Sequence, residues 1–226
     1  MFENTNIRRI IHIWLIVLFS VLMFGLFTWN TRTYQFAFFM MGITFSTIVY
    51  FKAREADLDT MRGKFFMMGV PIGIILGLAV MLESSLLHIL FRLLMVAALI
   101  FMITNLRLKL RAPLKESHLT IVAIFGIFIF IMMAAIIHQA PLKDWFTITI
   151  AFIDAISLIL IMLNLLIYSE GEIAREWLFR TISIMILIIG DIAFLLYLAG
   201  KVGFRIEILL WFMPFFVMSN VLLYME

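Results

Sequence analysis

The chain has no cysteine. That excludes disulfides, a thiolate metal site and a cysteine nucleophile, and it removes redox chemistry as a guide to compartment. Charge is scarce as well. Asp, Glu, Lys and Arg make up 14% of the 226 residues, against about a quarter in a soluble domain. Hydrophobic residues make up 65%. A water-soluble core of this size has no room for so much apolar surface, so lipid is the expected solvent. No lysine falls deep inside an apolar run, which excludes a retinal Schiff base of the rhodopsin type. HExxH, GxSxG and Walker A patterns are absent. The net charge is +3, but basic residues between membrane spans mostly record topology, so no nucleic-acid partner is expected. No cofactor or metal is expected either, because His118 and His138 lie at opposite ends of one run.

What is present is a series of long apolar runs. A crossing of the hydrocarbon needs about 20 such residues. On that ruler the spans are 10–29, 34–51, 64–82, 85–106, 118–137, 145–168, 177–199 and 204–224. The runs are continuous rather than alternating, which excludes a barrel, and in lipid only helices remain. The expected fold is therefore all-α: a polytopic membrane helix bundle of eight transmembrane helices, with residues 1–226 forming a single integral membrane domain. The first run ends in Phe27, Thr28 and Trp29 without a small-residue cleavage site, so it reads as a retained span and not as a signal peptide. The second and third spans are expected to be joined by about a dozen residues, and Pro71 and Pro214 to kink the third and eighth spans. At an offset of 113 residues Arg62, Phe66 and Gly77 meet Arg175, Phe179 and Gly190, which suggests a four-plus-four duplication.

Most of the 17 lysines and arginines fall in the N-terminus, in 52–64, in 107–115 and in the segment ending at Arg180. The opposite flanks carry only Arg32, Lys143, Lys201 and Arg205. The positive-inside rule then places both termini in the cytoplasm, in the setting of a cell membrane. Trp29, Trp145 and Tyr34 would anchor the outer boundary, and Trp177, Tyr168 and Tyr224 the inner one.

Few polar side chains enter the spans. Glu83 ends the third. The fourth carries His88 and Arg92, four residues apart and so on one face. The sixth carries Asp154 and Ser157, and the seventh carries Asp191. An intramembrane carboxylate costs about 2.5–3.5 kcal/mol on insertion scales and marks a pathway, a ligand or a buried partner. At 1.5 Å per residue, Asp154 lies ~14 Å, Asp191 ~12 Å and Arg92 ~10 Å below the outer ends of their spans. Three charges on three helices thus share one depth in the outer half of the bilayer. Two readings follow. Either Arg92 neutralises an aspartate in a structural ion pair, or Asp154, Asp191, Arg92, His88 and Glu83 line a polar site that binds a ligand or a proton. Asn105, Asn164 and Asn220, nearer the inner side, are expected to bond across helices, and His12 to sit near the inner interface.

The last third of the chain resembles the membrane regions that precede PAS, histidine-kinase or diguanylate-cyclase domains in prokaryotic signalling proteins. The positions that carry the resemblance are Asp154, the basic turn from Arg175 to Arg180, Gly190-Asp191 and Trp211. It implies a sensory or ligand-binding membrane module acting in signal transduction. The sequence stops at Glu226 just after the last span, so the signalling domain would be a separate cytoplasmic partner or would lie beyond this sequence. A second resemblance is to lysoplasmalogenase-type membrane hydrolases, which are also eight-span proteins with both ends cytoplasmic. It implies hydrolysis of a lipid-like substrate with Asp191, Asp154 or Glu83 as catalytic acids. The chain departs from that pattern at Leu78, where the earlier acid should stand. A small-solute or proton-coupled carrier is the third expectation.

Overall fold

A computed structural model describes residues 5–110, 115–139, 145–167, 172–198, 200 and 205–224. Among them are eight α-helices and no strand: α1 Thr5–Phe27, α2 Thr31–Glu55, α3 Met61–Leu82, α4 Ser85–Leu110, α5 Glu116–Gln139, α6 Trp145–Ile167, α7 Glu172–Leu198 and α8 Ile206–Tyr224. Seven are long and apolar enough to cross a membrane; in α7 the described apolar stretch is Thr181–Tyr197. The fold is that of an integral membrane helix bundle.

Six of the eight helices are longer than the apolar stretches read from sequence, because the polar flanks of a span continue the helical ladder past the hydrocarbon. The clearest case is the connection between α2 and α3. Helix α2 extends through Lys52 and Arg54 to Glu55 and α3 begins at Met61, so the expected dozen linking residues shrink to a tight turn. Lys52 and Glu55 pair at 3.0 Å on the last turn of α2. Thr60 then caps α3 by accepting from the Gly63 amide at 3.1 Å. At the other end of the hairpin Asn30 caps α2 by accepting from the Thr33 amide at 3.2 Å. Both are N-cap residue types with an oxygen placed for an orphan amide. Helix α3 ends on Glu83 in the left-handed region, φ 50°.

The contacts divide the chain into two compact units. The first comprises 1–91 and 212–226: α1, α2, α3, the first turns of α4 and the last turns of α8. Its tightest seam is α2 against α3, where a Cβ on Gly42 would run into the Gly73 carbonyl oxygen. A Cβ on Gly77 would stand 3.3 Å from the Phe39 Cα. Glycine at these positions lets two backbones approach, which is how helices associate where lipid offers no hydrophobic drive. Helix α3 runs through Pro71, and the Ser46 hydroxyl donates to the adjacent Val70 carbonyl at 2.7 Å. Helix α8 likewise runs through Pro214, and Phe215 packs on Phe45 with ring centroids 4.8 Å apart. Tyr34, in the first turn of α2, is buried where Gly25 leaves room for it against α1. Trp29, Trp145 and Tyr224 are exposed.

The second unit comprises 92–211: most of α4, then α5, α6, α7 and the first turns of α8. Helix α5 packs on α6 through Gly126, where a Cβ would touch Ile159 at 3.3 Å. Its other side exposes Ile124, Ile127, Phe128 and Ile131. The two glycines equated by the 113-residue offset meet different neighbours, Gly77 lying against Phe39 of α2 and Gly190 against Trp211 of α8. The packing therefore lends the duplication no support. The side chains of Arg107, Lys109, Arg111, Lys143, Tyr168, Arg175, Trp177, Phe179, Arg180 and Lys201 lie outside the described residues.

Candidate functional site

The second unit brings three of the sequence-predicted residues together. Arg92 on α4 donates from Nε to Asp154 Oδ1 on α6 at 3.2 Å. It donates from Nη2 to Asp191 Oδ1 on α7 at 2.7 Å. The guanidinium fork is what makes this geometry available: its donors diverge, so one cation engages two carboxylates on two helices. All three side chains are 0% exposed. A charge at that depth is tolerated only when it is paired and hydrogen-bonded.

A fourth member comes from α8. The Trp211 indole N–H donates to Asp191 Oδ1 at 2.9 Å. That oxygen therefore accepts from both Trp211 and Arg92. Gly190 explains how the indole gets there: a Cβ at that position would lie 2.6 Å from Trp211 Cδ1 and 2.8 Å from Nε1. The Gly190-Asp191 pair is thus a packing device in which the glycine admits the indole and the aspartate accepts its hydrogen bond. Phe194, one turn along α7, covers the indole with ring centroids 5.5 Å apart.

Two features of the cluster are left open. Formally it carries two negative charges against one positive charge. In addition, Asp154 Oδ2 and Asp191 Oδ2 are buried and accept no hydrogen bond from the described residues. The two carboxyl groups share the one guanidinium.

The other expected site residues are placed differently. Glu83 is exposed at the end of α3, where its Oε1 accepts from Gln35 at 2.9 Å. His88 is buried one turn before Arg92 on α4. Ser157, expected beside Asp154, donates to the Ile153 carbonyl of its own helix at 2.9 Å. Asn105 and Asn164 likewise bond back to Phe101 and Leu160, four residues earlier. A short amide finds that carbonyl without leaving its own helix. Asn220 bonds to Phe216 and, through Oδ1, also meets His12 Nδ1 of α1 at 2.6 Å.

Sequence reasoning missed two residues. One is Trp211 as a ligand of Asp191. The other is Glu207, which is 0% exposed in the first turn of α8 and pairs with Arg205. The Arg205 guanidinium also lies over the Tyr197 ring, 4.8 Å from its centroid. Glu207 and Trp211 are four residues apart and so share a face of α8, a spacing that could have drawn attention to both. Among the described residues no group of three or more His, Cys, Asp or Glu is placed to hold a metal ion.

Fold and site together define an integral membrane helix bundle with a buried guanidinium bridging two aspartates. No family model, curated protein or solved structure matches the chain.

Proposed function

We propose that this chain is a multi-pass sensory or ligand-binding module of a cell membrane, with both termini in the cytoplasm, and that the Arg92 bridge is its responsive element. The observation that carries the reading is the bridge itself. One guanidinium ties α4 to both α6 and α7, so any change in charge there alters two helix–helix contacts at once. An apolar interface has no comparable handle. The resemblance to sensor regions points the same way, since Asp154, Gly190-Asp191 and Trp211, which carry it, are also residues of this cluster. A cytoplasmic signalling domain, on a partner or on the same chain, would receive the movement. The distribution of lysine and arginine supports the orientation.

The absence of cysteine makes the test direct. Spin labels at Ile100→Cys on α4 and Ile182→Cys on α7, both exposed positions of the second unit, report the separation of the two helices in lipid nanodiscs. A distance distribution that shifts in Asp154→Asn or Asp191→Asn supports a responsive element. Distributions that superimpose in all three proteins would make the bridge a plain structural staple.

A further inference from the structure

We infer that Asp154 and Asp191 together bind one monovalent cation, a proton or an alkali ion, at their unbonded Oδ2 atoms. The inference deepens the reading of the bridge as a responsive element by naming what it binds. Three observations carry it. The first is charge. Two carboxylates face one guanidinium with all three side chains at 0% exposure, which among the described residues leaves one negative charge without a paired cation in a low-dielectric site. Such a charge is either neutralised or paired. The second is the acceptor inventory. Each aspartate spends Oδ1 on Arg92, and Asp191 spends the same atom on Trp211. Each keeps Oδ2 buried and without a donor among the described residues. The third is placement, because both carboxyls accept from the one Arg92 guanidinium, so one further positive charge can serve both.

Among the described residues no second lysine or arginine pairs with either aspartate. Helix α4 contributes Arg92, with the buried His88 one turn before it. Helices α6 and α7 contribute the two acids, and α8 contributes the Trp211 indole, which does not titrate. Helix α5, packed on α6, carries its titratable groups only near its ends, at Glu116, His118 and His138. Arg205, one and a half turns before Trp211, is held by Glu207 and Tyr197.

A single charge is also the amount that fits. A divalent ion would overshoot the balance, and only two carboxylate oxygens are free. A monovalent cation makes the cluster neutral, and its arrival or loss changes the charge at the junction of α4, α6 and α7. The charge balance is the same for both occupants, so the experiment has to tell them apart.

The measurement is solid-state 13C NMR of the full chain in nanodiscs, with carboxyl-labelled aspartate, at neutral pH in choline chloride and in sodium chloride. Asp154→Asn and Asp191→Asn assign the two signals, and either variant keeps one carboxylate for Arg92 and so should fold. If a proton is bound, a protonated or shared carboxyl signal appears in both salts. If sodium is bound in its place, that signal is present in choline and moves to the ionised position in sodium. Two fully ionised signals in both salts overturn the inference. This outcome is independent of the spin-label distances: a bound cation with unmoved helices would leave the inference standing and remove the sensory reading.

Discussion

The α2–α3 seam and the Arg92 bridge answer the same physical problem with opposite means. In lipid, helices gain nothing from hydrophobic burial against one another, so packing or polar contact must hold them. Helices α2 and α3 use shape: Gly42, Gly73 and Gly77 bring backbone against backbone, with the Ser46 hydroxyl on the Val70 carbonyl as a polar link within the seam and Gln35 on Glu83 at its end. Such a seam rests on dispersion and is indifferent to pH and salt. Helices α4, α6 and α7 are joined by charge, through Arg92, Asp154 and Asp191. A charged junction is costly when incomplete and changes with whatever changes its charge. One seam is fixed by shape, and the other depends on its charge.

The contrast can be broken most strongly at Arg92. Arg92→Met leaves two buried carboxylates without their cation, and breaking a buried pair in this way costs about 3–5 kcal/mol. Unfolding in mixed micelles followed by circular dichroism should show that loss. In the seam, Gly42→Val drives a side chain into the Gly73 carbonyl. Overpacking of this kind costs about 1–3 kcal/mol, and it should leave the aspartate carboxyl signals unchanged. Trp211→Phe keeps the ring packing on Phe194 but deletes the indole bond to Asp191. A hydrogen bond to a charged group is worth about 1.5 kcal/mol at the low end, and the same unfolding assay reads it. Ser46→Ala removes one interhelical hydrogen bond and should cost about 0.6 kcal/mol, the average for such bonds in membranes. Asp154→Asn sharpens the comparison by its smallness. It leaves Arg92 with Asp191 at 2.7 Å and removes the surplus negative charge, so its stability should stay within about 1 kcal/mol of the parent.

The helices were legible in the sequence because bilayer thickness imposes a length that composition reveals at once. Their ends were not, since a span's helix continues through charged residues such as Lys52 and Arg54 until a cap such as Thr60 starts the next. The cluster was half legible. Counting residues from the span ends put Arg92, Asp154 and Asp191 at one depth, because helical rise converts sequence position into height. Depth says nothing about the direction a side chain faces. The apolar residues around these charges are too uniform to mark a buried face, so sequence could not separate one shared bridge from separate pairs. Trp211 was hidden for the same reason: in an apolar run a tryptophan reads as packing, and only its apposition to Gly190 exposes its role. Glu83 misled in the opposite sense, since its position at a span end matched the cluster's side of the membrane while the helix cap turned it to the surface.

The central claim is that Arg92, Asp154 and Asp191 form one interdependent charge site, and a thermodynamic cycle measures interdependence directly. Arg92→Met is made in the natural chain and again in Asp154→Asn/Asp191→Asn, and unfolding free energies are compared in the same micelles. The account predicts a cost of about 3–5 kcal/mol in the first background and of less than about 1 kcal/mol in the second, where no carboxylate remains to be stranded. Equal costs in the two backgrounds would contradict it.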